Sequence, residues 1–335
     1  MNMVKAFMGP IDKLLSISDL NEIMINGPHD VFYQVNGVMK RHDDIRKEFT
    51  LEYLERCTKL CAFDAFDSIN KNNSILSASL PLDDIHLARV QVVVPPSCDK
   101  SQYIISIRKP STVSFTLEDY DKSGFFNILK GLESKKCDTE ENDKLKFFLK
   151  KQDVYGFMKL AVKAKKNIVI SGGTNSGKTR FTNCLIGYMG MMERIITLEN
   201  TRECLIQPND KKRNMVNLLT SKASKNKPAI GYDELLQACL RLNPDRIILS
   251  EIRGAEAFDF LSASNTDHRG SITSIHADSA NGVYDRLLFM LKMSDAGRAL
   301  NNSDIYDYCR NSIDIIMHCG KSPGKWRLEE VIFND

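Results

Sequence analysis

Closely spaced cysteine pairs are missing from this chain. No two of its nine cysteines have two residues between them, and only Cys57 and Cys61, with three residues between them, come near the spacing of a metal or redox pair. A structural zinc site needs a second such pair, and the sequence has none. We therefore expect reduced, mostly buried thiols in a reducing compartment.

Long apolar runs and a strong charge imbalance are also missing. No stretch approaches the roughly 18 continuous apolar residues of a membrane-spanning helix, and the opening MNMVKAFMGP lacks the apolar core of a secretion signal. The net charge is only +3 over 335 residues, so stable nucleic-acid binding is not expected. The chain is long enough for two domains that each bury a core.

A glycine-rich loop is the most informative segment that is present. Residues 171–179 read SGGTNSGKT and follow the apolar run 167–170. Glycines let backbone N–H groups curl around phosphate oxygens, Lys178 supplies a charge for the terminal phosphates, and the Thr179 hydroxyl is suited to bind Mg²⁺. The pattern predicts a nucleotide-phosphate site made of Gly172, Gly173, Thr174, Asn175, Ser176, Gly177, Lys178 and Thr179.

Two regions of different pattern flank a polar segment. In residues 1–110, short strands and turns surround a helix near residues 51–66, which predicts an α+β domain. Residues 111–151 are polar and charged, and we assign them to a linker that acts as a hinge. In residues 152–335, buried β-branched strands alternate with amphipathic helices, which predicts an α/β domain with a parallel sheet.

Charged side chains follow the predicted strands of this second domain. The strand at 168–171 leads into the glycine loop, the strands at 195–198 and 246–249 lead to Glu199 and Glu251, and the strand at 271–275 leads to His276. Ligands of parallel sheets bind beyond the carboxyl ends of the strands. We therefore expect two carboxylates and an imidazole beside the phosphate site.

Carboxylates beside a triphosphate have two uses: one holds Mg²⁺ and its waters, and the other orients or deprotonates the attacking water. We assign Glu251 mainly to Mg²⁺ and Glu199 mainly to the water, although the pattern also allows the reverse. His276 is suited either to contact the γ-phosphate or to hydrogen-bond a catalytic carboxylate.

These segments resemble the secretion traffic ATPases, and most closely the hexameric motor of type IV secretion systems. The likeness covers the glycine loop, the acidic segments IITLENTRE at 195–203 and LNPDRIILSEIRG at 242–254, and the histidine segment GSITSIHAD at 270–278. It implies a RecA-like P-loop motor domain that hydrolyses ATP with Mg²⁺. It also implies a homohexamer at the cytoplasmic face of the bacterial inner membrane, associated with other secretion components and powering assembly or the transfer of protein or protein–DNA.

A weaker resemblance extends into the N-terminal domain. The segments ARVQVVVPP at 88–96 and ISIRKPS at 105–111 are similar to family segments that bring arginines onto the nucleotide. The resemblance implies that Arg89 and Arg108 reach ATP when the two domains close on it, and it makes Arg202 a further catalytic candidate. One departure is Asn200, which stands where the family usually has a second acidic residue.

Other functions remain open from the residues. Type II secretion motors normally carry a four-cysteine zinc module, which this chain lacks, and pilus retraction motors share the same boxes. A nucleic-acid translocase with a RecA-like core would be stimulated by DNA or RNA, and a small-molecule kinase would phosphorylate an added acceptor instead of releasing phosphate to water.

Overall fold

The computed structural model describes residues 9–42, 46–65, 67–82, 87–109, 140–174, 176–201, 203, 213–221, 229–322 and 325–334. These residues form two units, each built on its own sheet. The N-terminal unit comprises the described residues up to 109, and the C-terminal unit those from 140 onward. None of the described helices is long and apolar enough to cross a membrane.

The N-terminal unit is an antiparallel sheet with helices packed against it. Its elements are α1 (Pro10–Leu15), β1 (Leu20–Gly27), β2 (Asp30–Val35), β3 (Val38–Arg41), a 3₁₀ turn (Arg46–Glu48), α2 (Leu51–Asp64), β4 (Ile75–Pro81), β5 (Leu87–Val93) and β6 (Ile104–Arg108). The strand order is β3-β2-β1-β6-β5-β4. The hairpin at Asn36 and Gly37 joins β2 to β3 through two residues with positive φ, as its sequence predicts.

The C-terminal unit is built on a mostly parallel sheet. Its strands are β7 (Ile168–Gly172), β8 (Ile195–Glu199), β9 (Met215–Leu219), β10 (Arg246–Leu249), β11 (Ile272–Ile275), β12 (Ile315–Ser322) and β13 (Lys325–Phe333). They lie in the order β13-β12-β7-β11-β10-β8-β9, in which only β13 is antiparallel to its neighbour. Its helices are α3 (Glu140–Lys150), α4 (Val154–Lys163), α5 (Lys178–Ile186), α6 (Tyr232–Arg241), α7 (Glu256–Asn265), α8 (Gly282–Leu291), α9 (Asp295–Ala299) and α10 (Asn302–Ser312).

Two apolar cores sandwich this sheet. Successive side chains of β7 alternate between them: Val169 packs with α6, α7 and α8, whereas Ile168 and Ile170 pack with α3, α4 and α5. A strand buried on both faces reads as a continuous apolar run, which is why these strands are recognisable in the sequence. The predicted fold class, a RecA-like α/β domain preceded by a smaller α+β domain, is confirmed.

The predicted domain boundaries remain predictions. Residues 110–139 of the proposed linker lie outside the described part of the chain. Its last residues form α3, whose Leu145 is buried in the core of the C-terminal unit beside Phe157 of α4.

The two units share a core and a buried polar network. Val93, Cys98 and Ile104 of the N-terminal unit pack in the same apolar cluster as the helices of the C-terminal unit. Beside it, Arg194 is fully buried and donates through Nη1 to Asn26 Oδ1 at 2.7 Å. The same side chain also binds Asn214 Oδ1 at 3.0 Å and, through Nε, the carbonyl of Leu242 at 2.7 Å.

Nearby acidic groups keep this buried guanidinium charged. Burial lowers the pKa of Arg194 to about 10, although Glu22 and Asp30 act in the opposite direction. Glu22 is itself bound by Ser106 and by Asn243 Nδ2. Hydrogen bonds across the boundary therefore fix β1 to the sheet edge at which β8, β9 and β10 begin.

We predict that Arg194→Met lowers the free energy of unfolding by about 3 kcal/mol, because acceptors in the boundary lose a charged donor and stay buried. Urea titration of the two proteins measures this difference. As a control, Arg298→Met removes a guanidinium that is 65% exposed, pairs with Asp295 across one helical turn and donates to the Met293 carbonyl at 3.3 Å. It should change stability by less than about 0.5 kcal/mol. Equal losses in both variants would contradict the role given to Arg194.

Candidate functional site

The carboxyl edge of the parallel sheet collects most of the predicted site residues. Strands β7, β11, β10 and β8 are neighbours and run in the same direction. The residues that follow them therefore lie along a single edge: the glycine loop after β7, His276 after β11, Glu251 after β10 and Glu199 at the end of β8.

Glycine is required at two positions of the loop. Gly172 has φ of +147°, and a Cβ there would overlap the carbonyl oxygen of Cys319 on β12 and lie 2.6 Å from Ser176 Oγ. Gly177 has a left-handed backbone with φ of 88° and stands directly before α5. These conformations turn the chain tightly from β7 into the helix, so that the N-terminus of α5 faces the space beyond the sheet.

The loop carries a buried cation. Lys178 Nζ donates to the carbonyl oxygens of Gly172 at 2.8 Å and Gly173 at 2.9 Å. Burial lowers the pKa of Lys178, whereas Glu251 and Cys319 raise it. The ammonium group is thus held over the loop, with the Glu251 carboxylate close enough to interact electrostatically.

A cavity of about 260 Å³ opens beside the loop. Ser176 is 4% exposed, and its Oγ has no hydrogen-bond partner among the residues that the structure describes. A buried hydroxyl without a partner is uncommon and is consistent with a ligand that supplies one. The cavity is lined by Ser176, Gly177, Arg180, Phe181, Cys184, Cys319, Arg327 and Leu328.

Glu251 and His276 lie together. His276 Nε2 is 3.3 Å from Glu251 Oε1, and Arg253 Nη2 is 2.7 Å from Glu251 Oε2. The Glu251 side chain remains 17% exposed. It is therefore an accessible carboxylate oriented by two basic side chains. The role of Arg253 was missed in the sequence, although its position two residues after Glu251 was a usable signal.

Glu199 has a different environment. It is fully buried, and its Oε2 accepts from Thr197 Oγ1 at 2.9 Å and Asn217 Nδ2 at 3.1 Å. Its Oε1 accepts from the backbone N–H of Glu203 at 2.8 Å. These bonds fix the turn after β8 and leave Glu199 with little access to water.

Glu203 reaches the glycine loop instead. Its Oε2 accepts from Thr179 Oγ1 at 3.0 Å, and its carbonyl oxygen accepts from Asn183 Nδ2 at 2.9 Å. Glu203 is exposed. The carboxylate that contacts the predicted Mg²⁺-binding hydroxyl is therefore Glu203, which the sequence placed in the acidic segment without a separate role.

Two further positions along this edge are described. Asn200 is exposed and accepts from Thr220 Oγ1 at 3.0 Å, and Thr174 is exposed at the tip of the loop. Asn175 and Arg202 lie outside the described residues.

Arg89 and Arg108 are not at this edge. They face each other on β5 and β6, and Arg108 also pairs in register with Glu22 on β1. Glu22 accepts from Asn243, which lies before β10 and hence at the amino edge of the parallel sheet. A single chain therefore does not bring its two N-terminal arginines to its own glycine loop.

The fold and the site define an α/β protein of the RecA-like class with a glycine loop at the carboxyl edge of its sheet. Residues 128–317 match the model of the family described as type II/IV secretion system protein. The chain belongs to this family and is an ATPase of it.

Relatives and a solved structure agree with this assignment. The chain is 33% identical over 336 residues to the type IV secretion system protein VirB11 of Bartonella henselae. This alignment covers 97% of this chain and 91% of that protein. It is 32% identical to the type IV secretion system protein PtlH of Bordetella pertussis, with 95% and 90% covered.

The crystal structure of the VirB11 ATPase from the Brucella suis type IV secretion system in complex with sulphate superposes with a TM-score of 0.88 at 29% identity, covering 98% of this chain and 97% of that chain. The resemblance stated from the sequence motifs and the prediction of an ATPase are confirmed.

We predict that Gly172→Ala weakens ATP binding by at least about tenfold and destabilises the fold by about 3 kcal/mol, because the new methyl group overlaps the Cys319 carbonyl in a conformation that favours glycine. Binding of a fluorescent ATP analogue and thermal unfolding measure the two effects. Gly173→Ala is the matched control, since its Cβ would meet nothing within 4 Å. The geometry is refuted if both variants bind and melt alike.

Proposed function

We propose that this chain is the ATP-hydrolysing motor of a type IV secretion system and that hydrolysis takes place at the carboxyl edge of the parallel sheet. The observation that carries the proposal is the convergence of a glycine loop, a buried lysine and the Glu251–His276 pair at this edge. The family and the relatives support the biological role.

The glycine loop and the first residues of α5 bind the phosphates in this proposal. Backbone N–H groups at the helix N-terminus, the Lys178 ammonium and the Ser176 hydroxyl are all donors, as phosphate oxygens require. The loop carbonyls that now accept from Lys178 release it to the terminal phosphates when ATP binds.

The oxygen ligands that Mg²⁺ prefers are present at the same place. The Thr179 hydroxyl and the carboxylates of Glu203 and Glu251 are hard donors suited to this ion or to its water shell. When bound, Mg²⁺ would offset the negative charge of the phosphate oxygens.

Glu251 is the better carboxylate for orienting or deprotonating the attacking water. Its accessibility and its contacts with His276 and Arg253 support this role, and the burial of Glu199 supports a positioning role for that residue through the Glu203 turn. This assignment moves the role of orienting the attacking water, which the sequence favours for Glu199, to Glu251. Arg202 remains a candidate for stabilising phosphate charge.

Arg89 and Arg108 act on the nucleotide of a neighbouring copy in this proposal. They lie near the amino edge of the parallel sheet in their own chain, whereas the loop lies at its carboxyl edge. Head-to-tail contacts between identical copies join opposite surfaces and close into rings when the rotation allows. The resemblance to hexameric motors supports a ring of six, in which closure occurs between the N-terminal unit of one copy and the loop of the next.

The ring would work with other secretion components at the cytoplasmic face of the bacterial inner membrane, peripheral to the bilayer. The naming of the relatives as type IV secretion system proteins supports this setting. The ring would supply ATP-driven motion for assembly or for transfer of protein or protein–DNA.

We predict that Lys178→Ala reduces kcat for ATP hydrolysis by on the order of 10²-fold or more, because the charge on the terminal phosphates is lost in the transition state. Release of inorganic phosphate is the readout. Lys163→Ala, on an exposed face of α4, serves as the control and should keep the wild-type rate. Wild-type turnover in Lys178→Ala would reject the active site.

We also predict that Arg108→Ala lowers kcat by on the order of 10²-fold, and that mixing it with Lys178→Ala restores activity. In mixed rings, a loop from an Arg108→Ala chain meets an intact arginine from a Lys178→Ala neighbour. Random mixing of equal amounts makes about one quarter of the sites complete.

Mass measurement in ATP and Mg²⁺ must first show that each variant assembles, with a hexamer expected. Two inactive variants that stay inactive after mixing would place the arginines and the loop of a site in the same chain. A wild-type chain that stays strictly monomeric would argue against the ring.

A further inference from the structure

A second cavity, of about 600 Å³, separates the N-terminal unit from the C-terminal end of α6. Its charged lining consists of Arg89, Arg108, Arg241 and one carboxylate, Asp64. The excess of guanidinium groups makes it a basic cavity. It lies at the amino edge of the parallel sheet, beside Asn243.

Arg241 contributes a charge from the C-terminal unit. It is exposed at the last position of α6, and none of the residues that the structure describes forms an ion pair with it. A helix C-terminus favours a basic residue, which accounts for its charge but not for its position beside two other arginines. Asp64 in the lining and Glu22 beside Arg108 offset part of the repulsion among these three like charges, and a bound anion would offset more of it.

Gln91 adds a buried donor to the same cavity. It is 2% exposed, and its Oε1 accepts from Ser77 Oγ at 2.7 Å. Its Nε2 is buried and has no hydrogen-bond partner within the described part of the chain. Gln91 also lines an adjoining cavity of about 350 Å³ together with Arg241. A buried amide donor of this kind calls for an acceptor, which none of the residues in the described ranges provides.

We propose that Arg241 and Gln91, together with Arg89 and Arg108, bind the terminal phosphates of the nucleotide held by the glycine loop of a neighbouring copy. The proposal rests on the proposed function, which already places Arg89 and Arg108 in that neighbour's site. Its new content is that the C-terminal unit also contributes, through α6. Guanidinium and amide donors around one cavity match the several acceptor oxygens of an oligophosphate.

The main test is ATP hydrolysis by Arg241→Ala. We expect kcat to fall at least tenfold while the mass of the assembly is unchanged. The matched control is Arg286→Ala, an exposed arginine on α8, which should hydrolyse ATP at the wild-type rate. If Arg241→Ala fails to assemble, Arg241→Lys serves as the test variant. Because it keeps the charge but not the planar guanidinium, its rate of ATP hydrolysis should lie between those of the wild type and an inactive variant. A wild-type rate in either assembled variant would overturn the proposal.

Mixing experiments separate this proposal from a merely structural role. Arg241→Ala mixed with Lys178→Ala should regain activity, because the defects lie in different halves of the shared site. Arg241→Ala mixed with Arg108→Ala should not, because both defects lie in the same cavity. Gln91→Leu should behave like Arg241→Ala in both mixtures. Recovery in the second mixture would show that Arg241 and Arg108 serve different sites.

The outcomes also distinguish the two proposals. A defect in Arg108→Ala with none in Arg241→Ala rejects only the role of α6 and leaves the proposed function intact. Full activity in Lys178→Ala rejects the proposed function itself.

A free phosphate ligand is tested with pyrophosphate and the Lys178→Ala protein, by calorimetry at a concentration where the chain is monomeric. Suppose that pyrophosphate binds tightly to Lys178→Ala and that this binding is lost in the Lys178→Ala, Arg241→Ala double variant. The cavity would then bind a free phosphate compound within a single chain, and the shared site would be overturned.

Discussion

Parallel pairing of β7, β11, β10 and β8 is the constraint on which the rest of the structure depends. Because these strands run in one direction, the residues that follow them must gather at one edge. Each strand is buried on both faces, so polar side chains become frequent only where the strand ends. The predicted nucleotide site is thus at the carboxyl edge of the sheet, and the N-terminal unit is attached at the amino edge.

The attachment of the N-terminal unit limits how far the two units of one chain can move relative to each other. Buried Arg194, its partner Asn26 and the shared apolar core bind the N-terminal unit along β9 and the amino edge. Separating the units would expose both the core and a charged network, which is energetically expensive. The two units of one chain are therefore expected to move together. In the proposed function, the closure that the sequence assigns to a hinge within the chain occurs instead between neighbouring copies.

The order and type of most elements around the site were predictable from sequence, because apolar strands and fixed motif spacing are local signals. Residues 195–199 illustrate the limit of such signals: the pattern locates Glu199 at a strand end but cannot show that Thr197 and Asn217 bury its carboxylate. The contact of Glu203 with Thr179 and the edge occupied by Arg108 depend on distant parts of the chain. Strands β9, β12 and β13 were missed because their polar interruptions hide the pattern, although β12 supplies the carbonyl that makes glycine necessary at position 172.

The opposite placement of the glycine loop and the arginine cavity has a consequence for regulation. If the site is shared between copies as proposed, a free copy would hold ATP but lack the groups that complete its site. Turnover per chain would then depend on concentration and fall on dilution, without a separate inhibitor. In a cell, such a chain would hydrolyse ATP only where enough copies are gathered in one place, so that hydrolysis would be restricted to the assembled protein.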